Sequence, residues 1–318
     1  MDLLINIFYC VCGVAGLYYG AEFLVKGSVG IARKAGISPL VIGLTLVAFA
    51  TSAPELVVSI KASLSGNADI SLGNVVGSNI CNIALILGLC ACITPLTVQK
   101  QLLKFDTPLM LASSVLLAVF YFCSQGLTRW QGIILFICFL VYTFWNIYVS
   151  GKETCREEKK ENTQEEKPLK LFFAIFLVVC GLFLLVAGAD IFLRSAIYFA
   201  KLFKLSDAVI GLTIVAVGTS LPELATSIVA ACKKESDIAI GNVVGSNIFN
   251  ILGILGIAPI IAPMQNASLD IVDLSMMLLT AFLLLPMMRT NWKLSRMEGL
   301  FLFLTYCGYI AYLLIHHT

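Results

Sequence analysis

The sequence predicts an all-α integral membrane protein of ten transmembrane helices, arranged as two inverted-topology five-helix repeats. Three observations lead there. Hydrophobic residues make up 59% of the 318 residues and charged residues only 13%, with a mean hydropathy of +0.95, more apolar surface than a water-soluble core can bury. Residues 43–88 and 211–256 are one segment written twice, identical at 28 of 46 positions with a constant offset of 168 and no gap. Apolar spans of about 20 residues, the length that crosses a bilayer core, recur along both halves.

In chain order, the first span is expected at 3–25, with no signal-peptide pattern around it, and so is expected to be retained. Spans at 37–62, 70–95, 106–124 and 131–150 complete the first unit, 1–150. The one long polar run, from Gly151 to Lys170, is mixed in sign and too short for a folded domain, so 151–169 is expected to be a linker. The second unit, 170–318, repeats the pattern with spans at 170–194, 207–232, 237–262, 269–289 and 297–315. Weaker echoes at the same offset pair Gly13 with Gly181, Gly20 with Gly188 and Glu22 with Asp190. Five spans per unit is an odd number, so the second unit must enter the membrane from the opposite side. Such inverted repeats build transporters around a site at the repeat interface.

Charge orients the chain. The side holding both termini carries five basic residues, Lys61, Arg129, Arg194, Lys201 and Lys204, and the opposite side carries the other sixteen of the 21. The positive-inside rule places the 151–169 linker in the cytoplasm and both termini outside, as expected of a multi-pass protein of the cell membrane. The net charge of +2 gives no sign of a nucleic-acid partner, the lipid bilayer is the expected surrounding, and no protein partner is inferable. The eleven cysteines are odd in number, scattered and without CxxC spacing, which suggests neither disulfides nor a thiolate metal site. The only histidines are His316 and His317, and no HExxH motif or phosphate loop occurs, so the chain is read as no enzyme, and no cofactor is expected.

Glu55 and Glu223 demand a functional explanation. Each lies mid-span with apolar sequence on both sides, where an ionised group costs about 3 kcal/mol on insertion scales and normally faces a cavity and a partner. The repeated motifs contain no basic residue that pairs with either, so the expected partner is a cation that comes and goes. Pro54 and Pro222 break their helices and free carbonyl oxygens, which is tolerated at membrane depth where the backbone lines a cavity. Thr51, Ser52, Thr219 and Ser220 add hydroxyl oxygens beside the carboxylates. An all-oxygen set suits hard cations such as Ca²⁺ and Na⁺ and disfavours zinc or copper. Ser52-x-x-Glu55 and Ser220-x-x-Glu223 also match helix-capping boxes, and the two readings are compatible: the serine caps the second half-helix while the carboxylate faces the site. After each carboxylate motif comes Gly-Asn-Val-Val-Gly-Ser-Asn. Asn74, Ser78 and Asn82, like Asn242, Ser246 and Asn250, are spaced by four and form one polar stripe on a helix, expected to line the site. Gly73 and Gly77, like Gly241 and Gly245, are spaced for close helix packing.

Read together, ATSAPELVVS and GTSLPELATS, each followed by GNVVGSNI(C/F)N, resemble the two α-repeats of the cation/calcium exchanger superfamily, in particular its prokaryotic-type Na⁺/Ca²⁺ exchangers. The resemblance implies ten helices in two inverted halves and exchange of Na⁺ for Ca²⁺ by alternating access, in the direction of Ca²⁺ export. It further implies that Glu55 and Glu223 are the shared Ca²⁺/Na⁺ carboxylates and that Thr51 and Thr219 offer Ca²⁺ a backbone carbonyl. By the same resemblance, Ala48, Ser52 and Ser78, with Ala216, Ser220 and Ser246, are flanking Na⁺ ligands, and Asn82 and Asn250 border the central site. Two departures bear on coupling. Asn250 stands where K⁺-dependent members carry Asp, which argues against K⁺ coupling, and Ser78 and Ser246 lie in the region where H⁺-coupled members carry an acid. K⁺-dependent exchange and Ca²⁺/H⁺ antiport are the alternatives within the family. A cation channel or an intramembrane enzyme are those outside it.

Overall fold

The computed structural model describes residues 2–157, 169–203, 216–265 and 269–316, and these are helical apart from short connections. In chain order they are α1 (Asp2–Ala35), α2 (Pro39–Thr51), α3 (Ala53–Leu64), α4 (Ala68–Ile93), α5 (Leu102–Ser124), α6 (Arg129–Glu157), α7 (Leu171–Leu202), α8 (Ala216–Thr219), α9 (Leu221–Cys232), α10 (Ser236–Ile261), α11 (Ile271–Arg289) and α12 (Arg296–His316). Four two-residue strands lie between them: β1 (Leu96–Thr97), β2 (Gly126–Leu127), β3 (Met264–Gln265) and β4 (Lys293–Leu294).

Among the described residues eight helices are long and apolar enough to cross a membrane, and the α2–α3 pair, bent by 48°, makes a ninth crossing. The chain is therefore an all-α multi-pass membrane protein. The expected span 207–232 is described only from Ala216 onward, as α8 and α9, and its start lies outside the described residues. Several helices outrun their predicted spans. α1, expected to end at residue 25, continues to Ala35 and stops at Gly36, whose φ of +62° is the left-handed conformation that closes a helix. α6 runs into the expected 151–169 linker as far as Glu157. Apolar windows end at the first charge, whereas helical hydrogen bonding continues into the aqueous boundary until a residue interrupts it.

Several helix contacts are repeated when the two halves are exchanged. α1 packs along its own copy α7, and α5 along its copy α11; α4 packs on α12, as α10 packs on α6. The α1–α7 approach is close enough to exclude side chains: a Cβ on Gly20 would meet the Leu185 amide nitrogen at 2.7 Å, and one on Gly181 would meet that of Leu24 at 2.6 Å. β1 pairs antiparallel with β4, and β2 with β3. α5 thus runs from the first sheet to the second, while α11 runs from the second to the first, so these two copies of one element are antiparallel.

The two sheets also register a slip in the repeat. β1 and β3 are offset by 168 (96 against 264), but β2 and β4 by 167 (126 against 293). In the stretch where the offset changes, α5 opens with a π-helical turn, Leu102–Asp106, that α11 as described from Ile271 does not show. A turn closed i→i+5 takes up one extra residue.

Candidate functional site

Among the described residues, the carboxylate helices and the segments that follow them match in both motif regions. α3 and α9, Ala53–Leu64 and Leu221–Cys232, keep the 168 offset, as do the first segments of α4 and α10, Ala68–Ile80 and Ser236–Ile248. Each helix break is a single residue in nearly the same conformation, Ser52 (φ −85°, ψ 9°) and Ser220 (φ −88°, ψ 9°), with the proline two residues on. The break turns the helix axis without unwinding it, because the next amide hydrogen bond resumes at once from Leu56 to Ser52 and from Leu224 to Ser220.

The capping expectation needs correction. Neither Ser52 nor Ser220 uses its side chain to cap the following helix. Ser52 Oγ instead donates to Glu223 Oε1 at 2.7 Å, and Ser220 Oγ donates to Glu55 Oε1 at 3.3 Å. A charged acceptor within reach is worth more than one amide at a helix start, since hydrogen bonds to ionised groups are roughly twice as strong as neutral ones. Each break thus holds the other repeat's carboxylate.

Around this cross, Thr51 Oγ1 donates to Asn242 Oδ1 at 3.1 Å, and Ser220 also reaches Ser78 Oγ at 3.5 Å. Ala48 O accepts from the Ser52 amide at 3.0 Å, with Thr51 Oγ1 at 3.3 Å and Ser246 Oγ at 3.5 Å beside it. Ala48, Thr51, Ser52, Glu55, Ser78, Ser220, Glu223 and Ser246 are all buried. Thr219 is half-buried at the end of α8, and Ala216 begins that helix. Asn74 and Asn242 brace the carboxylate helices: Asn74 Nδ2 donates to Glu55 O and Ser59 Oγ, and Asn242 Nδ2 to Glu223 O and Ser227 Oγ.

Two residues were missed in the sequence, Asn79 and Asn247. Asn82 Nδ2 donates to Asn247 Oδ1, and Asn250 Nδ2 donates to Asn79 Oδ1, each at 3.0 Å. These four amides clasp α4 to α10 beside π-helical turns at Cys81–Leu87 and Phe249–Ile254. Each repeated motif reads Ser-Asn-Ile-x-Asn, so the signal was the second Asn in each copy. It fell off the four-residue stripe that the straight-helix reading followed.

Some buried side-chain oxygens of the motifs are left over. Glu55 Oε2, Glu223 Oε2, Asn82 Oδ1 and Asn250 Oδ1 are buried and receive no hydrogen bond. Buried polar atoms are nearly always paired, so four acceptors without donors, two from each repeat at matching positions, stand out.

The profile of the sodium/calcium exchanger protein family matches residues 5–148 and 173–315. The chain belongs to this family. Among its relatives is the sodium/calcium exchanger MaX1 of Methanosarcina acetivorans, 35% identical over 344 residues, covering 97% of this chain and 98% of that protein. Another is CaxA of Alkalimonas amylolytica, 38% identical over 315 residues, covering 96% and 98%. The solved structure of the sodium-calcium exchanger NCX_Mj superposes with a TM-score of 0.84 at 33% identity, covering 98% of this chain and 99% of that one. Membership of the exchanger family makes the chain a transporter and not an enzyme, and Na⁺ and Ca²⁺ are its cargo, with no cofactor indicated.

Proposed function

We propose that this sodium/calcium exchanger carries both ions on one shared site, with Glu55 and Glu223 as the common charged ligands. The observation that carries the reading is the set of four buried oxygens without donors, two carboxylate and two amide, divided equally between the repeats. Two ionised carboxylates carry a charge of about −2, which one Ca²⁺ neutralises and which several Na⁺ neutralise when spread over neighbouring oxygens. Thr51 and Thr219 are the positions that offer Ca²⁺ a backbone carbonyl, and Ala48, Ser52, Ser78, Ala216, Ser220 and Ser246 are the neighbouring positions for Na⁺. Because each ion needs the same carboxylates, the two exclude one another, and each crosses in the other's absence.

Alternating access then follows from two inverted five-helix halves, ten spans in all, rocking about the site. Supporting the inversion are the antiparallel copies α5 and α11 and the pairing of β1 with β4 and β2 with β3, which joins loops that the charge asymmetry assigned to common sides. With the basic side inside, both termini lie outside and the physiological direction is Ca²⁺ export.

The test is ⁴⁵Ca²⁺ uptake into proteoliposomes loaded with Na⁺. Wild-type protein should take up Ca²⁺ against Na⁺ efflux, and Glu55→Gln or Glu223→Gln should abolish uptake while leaving insertion intact, since neutralising an intramembrane carboxylate eases insertion. Substantial Na⁺-driven flux in either variant overturns the shared site.

A further inference from the structure

A further fully buried carboxylate in a membrane span lies outside this site. Asp106 is 0% exposed at the end of the π-helical turn Leu102–Asp106. Its Oδ1 accepts from Tyr142 Oη at 3.0 Å and from Asn146 Nδ2 at 3.2 Å, and Asn146 Oδ1 accepts in turn from Gln101 Nε2 at 2.8 Å. Its Oδ2 is buried with no hydrogen-bond partner, and among the described residues no basic side chain is ion-paired with it.

The second half supplies an internal control. Past the π turn the repeat offset is 167, which pairs Asp106 with Asp273 and Tyr142 with Tyr309, and Tyr309 Oη donates to Asp273 Oδ1 at 2.7 Å. The Asp–Tyr tie between neighbouring spans is therefore made in both halves. In α11 it comes from an ordinary α-helix with the carboxylate only half-buried, and Leu313 stands where α6 has Asn146. The tie itself thus requires neither the π turn, nor full burial, nor the amide. Only at Asp106 do these three occur together with an oxygen that nothing satisfies. An ionised Asp106 there lacks a counter-charge, and a protonated Oδ2 lacks an acceptor for its hydrogen. Either arrangement is costly in a low-dielectric interior. A bound cation removes both costs, and π-helical turns recur at functional sites.

We propose that Asp106 binds a single Na⁺, separate from the exchange site, with the Tyr142 and Asn146 side-chain oxygens beside it. One carboxylate balances one monovalent charge, so a divalent ion would leave the pocket positive. The dense packing around a fully buried carboxylate favours a small ion over K⁺. The position also reaches the exchange site: one turn along α5, Met110 Sδ accepts from Asn247 Nδ2 at 3.6 Å, and Asn247 holds Asn82.

The experiment uses full-length protein in detergent with Glu55→Gln and Glu223→Gln combined, so that the exchange site carries no charge. Its melting temperature should still rise when NaCl replaces choline chloride at constant ionic strength, and adding Asp106→Asn should remove the rise. Three results would overturn the proposal: no Na⁺-dependent rise in the double variant, an equal rise with KCl, or a rise that persists in Asp106→Asn. If Asp106→Asn is not recovered folded, Tyr142→Phe keeps the ring and removes the hydroxyl that donates to Oδ1 and stands beside the ion. It should move the half-maximal Na⁺ concentration several-fold, and an unchanged value overturns the assignment. The readout needs no transport, so its failure is distinguishable from failure of the shared exchange site.

Discussion

Ser52 donates to Glu223 at 2.7 Å, while Ser220, its copy 168 residues on, donates to Glu55 at 3.3 Å. The two carboxylates are thus held from across the repeat interface, and not equally. A hydrogen bond to a charged group contributes about 1.5–3 kcal/mol, and 1.4 kcal/mol is about tenfold in affinity. Ser52→Ala should therefore weaken apparent Ca²⁺ affinity by about tenfold, and Ser220→Ala by less. Initial rates of Na⁺-driven uptake over a Ca²⁺ series check this; equal effects would show that the two bonds do not differ in solution.

The amide clasp predicts a role for side chains that are not themselves expected ligands. Asn247 and Asn79 occupy the amide nitrogens of Asn82 and Asn250, leaving the amide oxygens turned to other use. Asn247→Leu should depress exchange strongly, because Asn82 then loses its anchor. Asn247→Asp keeps an acceptor for Asn82 Nδ2 and should retain more activity. A leucine variant as active as wild type in the vesicle assay would remove the clasp from the mechanism.

Asn250 also bears on potassium. An amide offers an oxygen without charge, so the motif region supplies two carboxylates where K⁺ co-transport calls for a third. Exchange should proceed equally well when K⁺ is replaced by choline. Asn250→Asp should keep part of the activity and make it more sensitive to pH, since clustered carboxylates hold a proton. Collapse of wild-type flux in K⁺-free medium would place the chain with K⁺-dependent exchangers instead.

Packing of α1 on α7 should tolerate no side chain at its closest points. A Cβ on Gly181 falls 2.6 Å from Leu24 N and 2.7 Å from Gly20 O, both backbone atoms that cannot move alone. Gly181→Val should destabilise the protein by about 1–3 kcal/mol or more through overpacking. Gly308, with nothing within 4 Å of its Cβ position, is the control, and Gly308→Ala should be neutral. Thermal unfolding in detergent distinguishes them, and equal melting temperatures would mean that the helices separate freely.

What the sequence alone determined was whatever is written locally or twice. Composition fixed the membrane class, the gapless 168-residue offset exposed the duplication, and mid-span placement singled out Glu55 and Glu223, because an isolated charge in hydrocarbon has few cheap explanations. The tertiary structure decided who holds whom. Ser52 read equally well as a local cap, and its actual partner, Glu223, is 171 residues away. No periodicity encodes a bond between two helices that meet only once folded. Asn79 and Asn247 stand beside the stripe counted in fours, and the amide each one holds lies on the other repeat, which no local pattern records. Asp106 and Asp273 likewise accept from equivalent tyrosines, and only the folded structure buries the first completely and leaves the second half-buried.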